Sequence, residues 1–291
     1  MNLGVLFSVV LMVGLGCAST RSQILANPQV STQIPMGSPE ARGLILIIHG
    51  ANTSASRWPR SFLSRIEELD GLEDWDLYAV NWPDLSDRYL TAPVSARRLG
   101  QILGEQLAQH PNNYQVIHIL GSSMGAHVTQ GLVDTYREQV GSRPPDNQLQ
   151  VNRISSPFYP GALIHVTLLD PFLLRGLFSM QYGRRNFGRN ADLVENYFSR
   201  SDPVLFTNRP IRRAINYNLD QVIPFRENPN FSYYHDYPLT YYRNSIRDWS
   251  MVPGFIQSPF GLDIFSDSRV YFSVLFHLRS QYGQEIILSN D

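Results

Sequence analysis

The sequence predicts an α/β fold, a mostly parallel central sheet flanked by helices on both faces. Three observations predict it. Apolar, β-branched runs recur along the chain and alternate with amphipathic helical patterns, as parallel strands joined by crossover helices require. The runs are continuous rather than alternating, Leu44–Ile48 (LILII) above all, which fits strands buried on both faces. One of them, Val116–Leu120, leads into Gly121-Ser122-Ser123-Met124-Gly125 and then a helical pattern, so strand, sharp turn and helix follow one another.

The elements follow in order. Leu44–Ile48 is the first strand. Arg57–Leu69 is a helix with Trp58, Phe62, Ile66 and Leu69 on one stripe. Trp75–Trp82 (WDLYAVNW) is the next strand, and Val94–Leu107 a helix with Leu99, Ile102, Leu103 and Leu107 facing inward. Val116–Leu120 and a helix over Gly125–Gln139 flank the Ser turn. Leu163–Leu169 (LIHVTLL) and Asp192–Phe198 (DLVENYF) are two more strands, and Tyr241–Arg247 suits a last helix. Gly141–Gly161, rich in Pro, Asn and Ser, reads as a long loop. Pro171–Asn190 carries aromatic and apolar residues followed by Arg184, Arg185 and Arg189. It reads as a packed surface excursion, with a flap over a binding site as the alternative. Within the tail Val252–Asp291, Val270–Phe276 suits an edge strand or hairpin.

Composition narrows the function. The chain has 291 residues, 43% hydrophobic, with a net charge of −1. That suffices for one large core, expected over residues 44–291. The balance offers no basic surplus to neutralise phosphates, so nucleic acid is not expected as a partner. All 24 basic residues are arginine. Schiff-base lysines, a Ser-Lys dyad and a Walker A lysine are thereby excluded. Cys17 is the single cysteine, which excludes a Cys-ligated zinc site and an intramolecular disulfide. No H-E-x-x-H occurs. No metal and no organic cofactor are expected.

Leu3–Leu15 is an apolar run of signal-peptide length, too short for a comfortable membrane span. Gly16-Cys17 at its end resembles a bacterial lipobox, which implies cleavage and a lipid on Cys17; ordinary cleavage after Ala18 is the rival. Residues 18–43 read as a flexible tether. The expectation is an exported protein of a bacterial cell envelope, either membrane-anchored through Cys17 or periplasmic or secreted.

The chemistry centres on the Ser turn. A Ser between a strand and a helix takes a strained conformation that lifts its hydroxyl clear of the sheet. The residues two before and two after crowd the turn, so both need to be Gly. The N–H of Met124 then points to where an oxyanion would form. A nucleophilic Ser needs a base, and the base an orienting acid, which follow the elbow in the order acid, then His. His49, His110 and His118 precede Ser123. His127 lies on the helix just after it and reads as a packing residue, and His165 is inside a strand. His235, in a loop-like segment before a helical pattern, is preferred over His277, which sits in the apolar run Tyr271–Leu278. Asp170 and Asp202 each end a strand and precede a Pro; the pattern alone leaves both open as the acid. After the first strand, His49-Gly50-Ala51 offers a tight turn whose Ala51 N–H can be the second oxyanion donor.

These residues resemble the α/β-hydrolase fold, specifically the pancreatic-type lipase family. Leu46-Ile47-Ile48-His49-Gly50-Ala51 is similar to the family's strand and oxyanion loop, and Asp74–Trp82 to its D-W-x-hydrophobic-V-D-W strand. Ala96–Gly100 resembles its A-x-x-x-R-x-x-G helix, and Ile117–Val128 its I-H-x-I-G-H-S-L-G-A-H-V. Leu169-Asp170-Pro171 matches its L-D-P, and His235 with Tyr241-Tyr242 and Ser245-Ile246 its catalytic His and Y-Y-x-x-S-I. The resemblance spans roughly Leu44 to Asp248. It implies a Ser123–Asp170–His235 triad, with Asp202 as alternative acid, and an oxyanion hole from Ala51 and Met124. It implies hydrolysis of a small-molecule or lipid ester through an acyl-enzyme, as a smaller bacterial esterase on the family's plan. The alternatives are an acyltransferase, thioesterase or peptidase on the same triad, or a catalytically silent envelope lipoprotein that uses the fold as a binding module.

Overall fold

The apolar runs form a sheet of seven strands. The computed structural model describes residues 19–69, 72–87, 91–141, 161–176, 179, 181–227, 229–246 and 280–289. The strands are β1 (Gly43–Ile48), β2 (Trp75–Val80), β3 (Val116–Ser122), β4 (Leu163–Leu169), β5 (Leu193–Phe198), β6 (Ile215–Asn218) and β7 (Glu285–Ile287). Their order is β2-β1-β3-β4-β5-β6-β7, and every pairing is parallel. The helices are α1 (Arg21–Leu25), α2 (Trp58–Ile66), α3 (Pro83–Ser86), α4 (Ala92–Ala108), α5 (Gly125–Val140), α6 (Tyr182–Asn186) and α7 (Tyr233–Ser245).

Strand periodicity sorts the core into two layers. Leu44, Leu46, Ile48, Ile117, Ile119, Ile164, Val166 and Leu168 face one side and meet Leu99, Leu103, Val128 and Leu132 of α4 and α5. Ile45, Ile47, Val116, Leu120 and Tyr197 face the other, where Phe62 and Ile66 of α2 and Tyr241 and Tyr242 of α7 cover them. β1, β3 and β5 are buried along their whole length, which explains why β1 runs apolar without alternation.

α4 and α5 touch backbone to backbone. A Cβ added at Gly100 would lie 2.1 Å from the Val128 carbonyl oxygen, and one at Gly131 2.4 Å from that of Arg97. Only glycine permits that approach, which seats α5 under the Ser turn.

Three expectations change and one holds. The segment read as a tether is part of the body: Ile24, Val30, Ile34 and Ala41 are buried in the same cluster as Leu44. Its Ser19 backbone is held by Ser95 and Arg98 of α4, at 3.1 and 2.6 Å. The apolar residues there are spaced too irregularly to announce an element, yet each finds a place against the core. β6 and β7 went unannounced because both are short, and β6 carries Asn216 and Asn218 in place of β-formers. Burial of Asn216 is tolerated because its amide bonds Ile211, Ala214, Asn196 and Gln284. The last helix begins at Tyr233, not Tyr241, and so includes His235. Pro171–Asn190 is the packed excursion: Leu173 and Phe187 are buried, and it contains α6.

Cys17 and the leader, the interior of the loop expected over Gly141–Gly161, Val270–Phe276 and His277 lie outside the described residues. Among the described residues no helix is long and apolar enough to cross a membrane.

Candidate active site

Strand order locates the site. The sheet grows from β1 to β2 on one side and from β1 to β3 on the other, so the carboxyl ends of β1 and β3 flank a switch-point crevice. Ile48 pairs with Gly121, which sets His49–Ala51 beside Ser122–Met124. A Cβ on Gly50 would lie 2.9 Å from that of Ser123 and 3.2 Å from the Ser122 carbonyl oxygen.

Ser123 has φ 48°, a left-handed conformation that costs roughly 1–3 kcal/mol in a non-glycine residue. Its neighbours hold it there. The Ser123 N–H donates to Leu169 O at 3.0 Å, and its carbonyl accepts from Ala126 N at 3.2 Å and Phe172 N at 3.0 Å. The two glycines are required by crowding, as the pattern predicts. A Cβ at Gly121 would come within 2.5 Å of Thr129 Oγ1; one at Gly125 would come within 2.6 Å of Ile48 O.

Two backbone donors stand by. Among the described residues neither the Ala51 N–H nor the Met124 N–H donates to a protein acceptor. Met124 precedes α5, where the first N–H groups have no helical partner. Ala51 is oriented through His49. Burial, foremost, lowers the His49 pKa to about 4, so the ring is neutral. Its Nε2 accepts from the Trp82 N–H at 3.1 Å, which leaves Nδ1 to donate to Gly50 O at 2.7 Å. In a trans peptide the carbonyl and the following N–H point in opposite directions. Fixing Gly50 O therefore fixes the direction of the Ala51 N–H. The His49 ring had a signal in the sequence only as part of a turn; its hydrogen bonds needed Trp82, 33 residues away.

His235 sits in the first turn of α7. Pro238 and the tyrosine run around it are poor helix formers, so the segment read as a loop. Tertiary contacts override that: the Tyr233 and Tyr237 hydroxyls anchor the turn on Pro224 O and Val222 O, both at 2.8 Å. The structure brings both candidate acids to this ring. Asp170 Oδ2 lies 3.0 Å and Asp202 Oδ2 2.9 Å from His235 Nδ1. Asp170 ends β4 with φ 47° and is buried; its Oδ1 has no partner among the described residues. Asp202 follows β5. Its Oδ1 accepts from Val204 N at 2.9 Å and its Oδ2 from the Thr207 hydroxyl. The sequence reading missed Thr207, which carries no signal apart from its partner.

The charges follow from these contacts. Burial, foremost, pushes the Asp170 pKa well up. Burial also works upward on Asp202, but hydrogen bonds from His235, Asp170 and Thr207 outweigh it and lower the pKa. Burial would lower the His235 pKa; the bonds to both carboxyls outweigh it and push it up. Among the described residues Ser123 Oγ and His235 share no hydrogen bond, a contact that often tightens only with substrate bound.

The other described histidines fall outside this group. His127 is buried against Phe172, Tyr182 and Phe187, with burial lowering its pKa to about 3. His118 and His165 stack at 4.0 Å inside the sheet. Among the described residues Asp170, Asp202 and His235 alone bring three metal-ligating atoms together, within 4.8 Å. Their atoms are already engaged with one another, Val204 and Thr207.

No curated protein matches the sequence. Among solved structures, it is similar to a lipase-esterase related protein from Clostridium acetobutylicum at 12% identity and TM-score 0.31, over 59% of this chain and 79% of that one. It is also similar to Thermogutta terrifontis esterase 2 with propionate bound, at 12% identity and TM-score 0.32, over 75% and 88%. MGS-M1, an alpha/beta hydrolase enzyme from a Medee basin deep-sea metagenome library, aligns at 11% identity and TM-score 0.31, over 57% and 58%. The family model for the Alpha/beta hydrolase family matches residues 45–271, most of the chain, and with the parallel sheet and its switch-point crevice this makes the chain a member of the alpha/beta hydrolase family.

Proposed function

We propose that the protein is a serine hydrolase that cleaves carboxylic esters through an acyl-enzyme. The observation that carries this reading is the elbow. Ser123 is held at φ 48° between two glycines that packing requires, beside two backbone N–H groups without protein acceptors among the described residues. Strain of that kind persists where the surroundings enforce it, and it has no evident use in a binding scaffold.

The roles follow. Ser123 Oγ attacks the ester carbonyl as His235 Nε2 takes its proton. The Ala51 and Met124 N–H groups hold the oxyanion, each donor being worth roughly 3–4 kcal/mol of barrier. His235 returns the proton to the leaving alcohol, then activates the water that releases the acid. The carboxyls behind Nδ1 fix the ring's tautomer and stabilise the imidazolium.

Labelling with a fluorophosphonate followed by peptide mass spectrometry tests this. Modification at Ser123, lost in His235→Ala, is the expected result. Absence of labelling in folded protein would refute an activated serine and favour the silent binding module.

We also propose that the pancreatic-type lipase resemblance reflects an ester substrate, small-molecule or lipid, and that the protein is exported and anchored through a lipid on Cys17. The support for export is the leader's sequence pattern. Because Ser19 is held by α4 only two residues on, an anchor at Cys17 would keep the body close against the membrane. A Cys17→Ala variant that stays in the membrane fraction would refute the anchor.

A further inference from the structure

A triad needs one acid, and this chain presents two to the same imidazole nitrogen. Oδ2 of Asp170 and Oδ2 of Asp202 reach His235 Nδ1 at 3.0 and 2.9 Å. Nδ1 carries a single hydrogen, so the two oxygens compete for it. They come from different strands: Asp170 closes β4, and Asp202 follows β5. Two ionised carboxylates this close to each other and away from water repel strongly.

We propose, resting on the serine hydrolase reading, that Asp170 and Asp202 work as a carboxyl pair holding one proton, with Asp202 the ionised acid that orients His235 and Asp170 its protonated partner. Hydrogen-bond supply makes the assignment. Asp202 is served by Val204 N, the Thr207 hydroxyl and His235, as a carboxylate requires. Asp170 has one oxygen with no donor, and a buried carboxylate oxygen without a donor is costly, whereas a neutral carboxyl bears it better. The titratable groups that face Asp170 are His235 from α7 and Asp202; those that face Asp202 are His235 and Asp170. The burial-driven rise at Asp170 and the fall at Asp202 have the same sense.

The arrangement has a chemical use. Two full negative charges against Nδ1 would keep the imidazole protonated at neutral pH, and a protonated ring cannot take the Ser123 proton. Neutralising Asp170 removes one of those charges, yet leaves its carboxyl to hold Asp202 and the ring in place. When His235 takes up the proton from Ser123, Asp202 balances it. The proton on Asp170 stays where it is, so no step of ester hydrolysis consumes it.

The test compares Asp170→Asn with Asp202→Asn. Asp202→Asn is expected to lower kcat by about a thousandfold or more, as loss of the ionised acid does. Asp170→Asn is expected to lower it about tenfold, the scale of one neutral hydrogen bond, and to leave the pH midpoint of kcat/KM in place. If Asp170 were ionised, its removal would shift that midpoint to lower pH and cost at least as much as Asp202→Asn; either result overturns the proposal. A second readout does not need turnover. The infrared difference spectrum of wild type minus Asp170→Asn at neutral pH should contain the C=O band of a protonated carboxyl. Burial foremost raises the pKa of Glu195 to about 7, so that residue also contributes such a band, but it cancels in the difference. The same difference taken in a Ser123→Ala background should be unchanged. No carboxyl band refutes the shared proton. A band in a protein that a fluorophosphonate does not label upholds the carboxyl pair and refutes the hydrolase reading.

Discussion

Ser123 concentrates the cost of the site. Its φ of 48° is maintained by three backbone hydrogen bonds and by two glycines with no room for a methyl group. Ser123→Ala should abolish ester turnover, by on the order of a millionfold in kcat, while leaving the thermal unfolding midpoint close to wild type. Equal turnover in that variant would refute the nucleophile. The ring that serves it makes a second prediction. Hydrogen bonds to Asp170 and Asp202 outweigh burial and raise the His235 pKa. As the proposed base, His235 acts only when neutral, so kcat/KM should climb as pH rises through the folded-state pKa. The midpoint should lie above the value of about 6.5 for free imidazole. A pH–rate profile with its midpoint at or below that value would contradict a carboxylate against Nδ1. Both predictions concern single groups, and both were readable only in part from the chain. The elbow is a local pattern. The pairing of one His with two Asp residues is not, since it depends on where β4, β5 and α7 end.

At the scale of elements, close approach sets the geometry. The α4–α5 contact brings Gly100 to the backbone of Val128, and α5 begins directly after Met124. Gly100→Ala would put a carbon 2.1 Å from a backbone oxygen and force the helices apart. We expect destabilisation of about 1–3 kcal/mol by urea unfolding, with kcat reduced as the Met124 N–H moves. A variant as stable as wild type would mean that the helices can separate freely. The long, periodic elements were legible because periodicity reports burial: β1, β3 and β4 and helices α2, α4 and α5 stand within a few residues of where the pattern put them. β6 and the first turns of α7 were not, because Asn216 and Pro238 argue locally against the conformation their partners impose.

At the scale of the molecule, the segment of residues 19–42 belongs to the hydrolase body. Ile24 is fully buried, in the cluster that contains Leu44, Leu99 and Trp82. Ile24→Ala should cost about 2–4 kcal/mol, measured by chemical denaturation. A cost near zero would restore the tether. The same packing bears on attachment, since a folded segment places the sheet's neighbours near any anchor at Cys17, whereas a flexible one would let the site roam.

The sequence by itself determined the architecture and the chemistry's vocabulary. Runs of apolar, β-branched residues alternating with amphipathic helical patterns point to strands of a covered parallel sheet, and a Ser between crowded glycines at a strand end is a local steric fact. It also nominated Ser123, Asp170, Asp202, His235, Ala51 and Met124 as candidates, because residue types and chain order limit the choice. Only the tertiary structure decided that both acids meet one imidazole nitrogen, that His49 sets the Gly50 peptide through Trp82, and that residues 19–42 pack against the core. Those facts are distances between parts of the chain far apart in sequence. No local pattern encodes them, because each arises from the register of strands and the docking of helices rather than from the residues that meet.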